Sequence, residues 1–151
     1  MSLLNKIKSV TNSITGGSAK VALEITSLPS RTQPFSVRVS AMVANQNLQI
    51  KRVYVRLKGE ESIIARHVDR RYGYSDVNQS EILYEQDFDI AGEQTLLAGH
   101  SYTWEGQVDA SDMETRATYL GRNARHEWSV LAGLDAPGND PDSDWVDIQM
   151  D

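Results

Sequence analysis

A chain of 151 residues has room for one domain with a sizeable core, and its formal net charge of −6 with a pI near 5.0 argues against a general nucleic-acid binder, which carries a basic face. There is no cysteine, so disulfides and thiolate metal sites are excluded. No apolar run approaches the roughly 20 residues of a membrane span, and the start Met1-Ser-Leu-Leu-Asn-Lys lacks the apolar region and cleavage site of a secretory signal, so a cytoplasmic protein without an integral membrane segment is expected.

Residues 2–14 place Leu3, Leu4, Ile7, Val10 and Ile14 on one helical face, with Lys6 and Lys8 opposite. Thr15-Gly-Gly-Ser18 ends the pattern. A helix of this length is marginal alone, so its apolar face needs the main domain, another subunit or a membrane surface; its low charge favours protein. The chain therefore divides into a helix and Gly-rich connector over 1–18 and a β domain over 19–151, and a homo-oligomer stays open.

The first strand spans 19–26, with Val21, Leu23 and Ile25 inward. Two prolines, Pro29 and Pro34, mark the following loop. Residues 35–44 alternate Phe35, Val37, Val39, Ala41 and Val43 against Ser36, Arg38, Ser40 and Met42, and Asn45-Gln-Asn47 suits a tight hairpin. The next stretch, 48–60, changes phase: Leu48 and Ile50 are even, whereas Val53, Val55 and Leu57 are odd. A strand cannot turn its apolar set over without an inserted residue, so a bulge or a change of sheet is expected at Lys51-Arg52.

Residues 62–68 read as a weaker strand, and 69–79 lack any period. Ile82, Tyr84, Phe88 and Ile90 align a strand over 80–90; residues 92–99 form a turn whose Leu96 and Leu97 tuck under the domain. Tyr102, Trp104, Gly106 and Val108 alternate over 100–108, and 110–118 is a polar loop. From 123 to 135 the alternation is strict, with Ala124, His126, Trp128, Val130, Ala132 and Leu134 inward and Leu131 the apolar exception outside. An acidic turn and a last strand carrying Val146, Ile148 and Met150 complete a C-terminal hairpin. Eight short strands separated by regular turn signals define an all-β, immunoglobulin-like two-sheet β-sandwich.

The run Leu120-Gly121-Arg122, the strand ending Gly133-Leu134-Asp135, then Asp140-Pro-Asp142-Ser-Asp144 and Val146-Asp-Ile148 resemble the end of the arrestin-like domain of bacterial sporulation-control proteins of the stage-zero M type. Leu4-Asn5-Lys6 resembles their N-terminus, and the strands over 35–59 follow their pattern. The chain departs from them at Gln33-Pro34 and Val37, where members often carry a Pro-Gly-acidic turn and a glycine. The resemblance implies an arrestin-like lobe with a regulatory or scaffolding role, acting through a protein partner, and it supplies no catalytic residue.

Three chemical readings can be weighed. Asp135, Asp140, Asp142, Asp144 and Asp147 could hold Ca²⁺, but Trp145 stands where an EF-hand loop needs glycine, and a solvated acidic turn between two strands is the favoured reading. His67, His100 and His126 lack zinc spacing, and no nucleophile elbow, Walker loop or dinucleotide fingerprint occurs. No cofactor and no enzyme activity are therefore expected. The segment Arg70-Arg71-Tyr72-Gly73-Tyr74 interleaves arginines with aromatics, the residue types of protein-contact hot spots. Arg70, Arg71, Tyr72 and Tyr74 are the expected partner-binding residues. The alternative is a small-ligand or carbohydrate-binding sandwich using Tyr102 and Trp104, or the acidic loop with Ca²⁺.

Overall fold

The computed structural model describes residues 11–15, 18–69, 73–111 and 117–150. Among them are eleven strands and no helix: β1 Thr11–Thr15, β2 Ala19–Ile25, β3 Phe35–Val43, β4 Leu48–Ile50, β5 Val53–Asp69, β6 Gly73–Ala91, β7 Gln94–Leu96, β8 Ser101–Val108, β9 Tyr119–Leu120, β10 Ala124–Leu134 and β11 Val146–Ile148. One sheet has the order β1-β2-β3-β8; the other runs β11-β10-β5-β6 with β9 on β10, and β4 pairs with β7 apart from both.

Period two explains the layers. In β2 and β3 every second residue, Ala19 to Ile25 and Phe35 to Val43, is buried. They meet Val53, Val55 and Leu57 of β5 and Trp128, Val130, Ala132 and Leu134 of β10 in one core. Apolar side chains on facing inner surfaces bury each other, which is what makes two antiparallel sheets stable as a pair. The outer face of the first sheet is polar: Arg38 stands in register between Glu24 and Glu105 and reaches them at 3.4 and 2.9 Å. Both glutamates raise its pKa, Glu105 most.

Trp128 is fully buried, and a glycine makes room for it. Gly59 is its register partner on β5, and a Cβ there would lie 3.0 Å from the indole. The indole therefore extends across β5 to stack on Tyr84 of β6, with ring centroids 5.8 Å apart. His126 meets it edge-on at 5.3 Å and is itself buried.

The phase change at Lys51-Arg52 is a change of sheet. β4 lies with β7, β5 joins the second sheet, and the crossing is fixed by Lys51 N–H to Asp135 O (2.8 Å) and Asp135 N–H to Arg52 O (3.0 Å).

Other expectations are corrected. Residues 11–14 of the expected helix lie in β1, paired with β2 from Thr11↔Leu23 to Thr15↔Ala19; Thr11, Ile14 and Thr15 are β-branched and favour a ladder. The rest of that helix, 2–10, lies outside the described residues. No tight hairpin forms at Asn45-Gln-Asn47: β3 pairs with β2 and β8, and Asn47 Oδ1 accepts Ala98 N–H instead. Residues 73–79 belong to β6 rather than to a loop. Leu96 is buried, but Leu97 stays exposed. In β10 both faces are buried from Trp128 onward, Ser129 and Leu131 included. The acidic segment after it is not simply solvated either: it bridges back at Gly133↔Asp142, and Pro141 and Ser143 are buried.

Candidate interaction surface

Two features of the second sheet stand out: a long hairpin arm and a charged outer face. The arm follows from unequal strand lengths. β10 pairs with β5 from Leu134↔Val53 to Ala124↔Ile63, and Ile64 N–H to Asn123 O closes that contact. β5 and β6 then continue for five further pairs, Ala65↔Val77 to Asp69↔Gly73, with no third strand among the described residues. Five pairs extend the ribbon by about 17 Å.

This placement bears on the expected partner-binding residues. Arg70, Arg71 and Tyr72 lie outside the described residues, in the connection between β5 and β6. Tyr74 is in β6, opposite Val68 in the ladder. At the arm's root a register shift between Gly59 and Glu60 leaves Leu83 as an extra residue on β6. Residues 78–83 are all exposed, Ile82 at 50% and Leu83 at 37%.

The outer face below the arm was not legible as a site in the sequence. Arg52 spans three carboxylates: Asp87 and Asp89 at 2.9 Å and Asp135 at 3.4 Å. Arg56 binds Asp87 at 2.7 Å and lies 3.7 Å from Glu85. Both guanidinium groups flank the Tyr54 ring, at 4.5 and 5.3 Å from its centroid. The ring lies over Gly133, its register partner, where a Cβ would be 2.5 Å away, and its hydroxyl donates to Asp140 Oδ2 at 2.9 Å. Lys58 sits 4.1 Å over the Trp145 ring. The hydrogen bond from Arg56, then the one from Arg52, holds the Asp87 carboxyl below its usual value. Burial, then the bond to Asp140, pushes the Tyr54 hydroxyl up. The arrangement fastens the acidic segment to the sheet. The signal for it was the alternation Arg52, Tyr54, Arg56, Lys58 along one face, opposite Glu85, Asp87 and Asp89 on another strand.

The acidic constellation is thereby divided. Asp140 accepts from Tyr54 and from Ala136 N–H, Asp135 pairs with Arg52, and Asp142 Oδ1 accepts Asp144 N–H. Among the described residues no three His, Asp or Glu side chains come together as a metal site. Tyr102 and Trp104 stack at 5.9 Å, half-buried against the core, and the Tyr102 hydroxyl accepts Leu97 N–H. His126 is in the core, and His100 is exposed after the β7 turn.

No protein-family model matches the sequence, and no curated protein matches it. The fold, however, has a solved counterpart. The chain is similar to the crystal structure of the sporulation control protein Spo0M from Bacillus subtilis, with a TM-score of 0.58 and 17% identity, over 89% of this chain and 50% of that one. The likeness is one of fold. The chain spans half the length of that protein. Among the described residues no helix is long and apolar enough to cross a membrane.

Proposed function

We propose that this chain is an arrestin-like, non-enzymatic regulatory or scaffolding module that works in the cytoplasm by holding a protein partner. The observation that carries this reading is the arm: a ribbon of five pairs beyond the braced sheet, leading to a connection rich in arginine and tyrosine. A rigid sandwich that carries such residues in a connection between two strands is a usual design for recognition. The fold shared with a sporulation control protein supports a regulatory role over turnover.

Affinity capture from a lysate of the native host, with the partner identified by mass spectrometry, tests it. The double change Arg71→Ala, Tyr72→Ala should reduce recovery of that partner at least about tenfold, roughly 1.4 kcal/mol. The melting curve should stay within about 0.5 kcal/mol of the parent, as for surface changes outside the core. Unchanged recovery overturns the role of the tip.

A further inference from the structure

The arm has an edge as well as a tip. β6 ends the order β11-β10-β5-β6, so along its far side alternate N–H and C=O groups have no ladder partner among the described residues. Lower down, β8 packs beside the strand, with Gly106 so near Ile90 that a Cβ would lie 2.6 Å from the Ile90 side chain. Above the Leu83 bulge, residues 78–82 are extended and all exposed. Open edges are ordinarily guarded by lysine, proline or charges that keep other strands away. Asn78-Gln79-Ser80-Glu81-Ile82 has no lysine and no proline, and its one charge is Glu81. The guard is missing where the edge is open.

What the segment carries instead is complementarity to itself. When two copies pair antiparallel about a two-fold axis at Ser80, all five exposed positions are used. Asn78 then stands opposite Ile82, Gln79 opposite Glu81, and Ser80 opposite its own copy. Each Glu81 carboxylate meets a Gln79 carboxamide, which can donate to it, and symmetry makes that contact twice. Neighbouring registers are worse. Moving the axis one residue toward the root sets Glu81 on Glu81, a like-charge pair. Moving it one residue toward the tip sets Glu81 against Val77 and Ile82 against Asp76, an acid against an apolar residue in both cases.

We infer that β6 pairs with β6 of a second copy over residues 78–82, about a two-fold axis at Ser80, so that two copies of the second sheet join into one. Main-chain hydrogen bonds hold the ladder, and the Gln79–Glu81 contacts fix its register. Five pairs make a small interface, so the dimer is weak and forms with rising concentration. The inference goes beyond the proposed role of the tip and does not depend on it.

Sedimentation equilibrium of the full chain should show monomer and dimer exchanging with concentration. Gln79→Glu sets carboxylates opposite each other at two positions and should weaken the dimer at least about tenfold. Gln79→Lys should strengthen it by a similar factor, and Gln79→Glu combined with Glu81→Lys should restore it. Because the chain has no cysteine, mild oxidation of single-cysteine variants reads the register. Opposite Cα atoms in a ladder are about 4.5–5.5 Å apart, within disulfide reach, so Ser80→Cys should cross-link two copies. Asn78→Cys should not, because the two copies of residue 78 lie about 13 Å apart along the ladder. A chain that stays monomeric at about millimolar concentration overturns the inference. So does a dimer indifferent to the charge at residue 79, or one in which residue 78 cross-links as readily as residue 80. Protection of the 78–82 amides from hydrogen exchange only when a different protein is added to a monomeric chain also overturns it, and gives the edge to a foreign strand.

Discussion

The same two strands, β5 and β6, behave as two different materials along their length. From Val53 to Gly59 they are held between β10 and an outer layer of ion pairs, with Val55, Leu57 and Trp128 in the core beneath. From Ala65 to Asp69 they pair only with each other among the described residues. A lone two-stranded ribbon is marginal in water, whereas three or more strands on an apolar face are stable. The lower half therefore lends the upper half its order. Local stability should fall along a single hydrogen-bonded ladder, leaving contact surface where the cost of exposing it is least.

Trp128→Ala is the severest test of the supporting half. It removes the indole that spans Gly59 and stacks on Tyr84, and should cost about 3–5 kcal/mol in denaturant unfolding. A loss below about 1 kcal/mol, the typical cost of an arbitrary point change, would mean that this half does not anchor the ladder. On the other face Gly133→Ala forces the Tyr54 ring away from β10, because the added Cβ would lie 2.5 Å from it. Overpacking of this kind costs about 1–3 kcal/mol. Combined with Tyr54→Ala the penalty should largely vanish, because the two residues are in direct contact. An equal cost in both backgrounds would show that the ring does not depend on the glycine.

The sequence made the supporting half legible because burial leaves a period. Val21 to Ile25 and Phe35 to Val43 alternate as they lie in their sheet, and the phase slip at Lys51-Arg52 located the change of sheet. The arm was misread for the same reason. Residues 73–79 carry no apolar alternation, so they looked like a loop, yet they pair with β5 as far as Gly73. The N-terminal stretch misled in the opposite direction: its apolar spacing fits a helix, while the β-branched residues at 11–15 pair with β2. The charged outer face was invisible because Arg52 and Asp87, or Tyr54 and Asp140, are far apart in sequence, and only the register between strands brings them together.

One acid from either side of the Leu83 bulge gives the finest comparison. Asp87 accepts hydrogen bonds from Arg52 and Arg56 at 2.9 and 2.7 Å, which depress its pKa below the usual 3.8. A carboxyl with a lowered folded pKa contributes stability that is fully present above its unfolded value and is lost as pH falls through the folded one. Asp87→Asn should therefore cost about 1–2 kcal/mol at neutral pH, a charged hydrogen-bond loss discounted for partial exposure. The gap to the parent should close on acidification below the usual carboxylate value. Glu81→Gln, on the exposed stretch of β6 above the Leu83 bulge, should change stability by no more than about 0.5 kcal/mol. Denaturant unfolding of the two variants across an acid pH series reads both effects. If Glu81→Gln destabilises as much as Asp87→Asn, the ladder above the bulge is braced by its charges as the part below it is, and the contrast along β6 is lost.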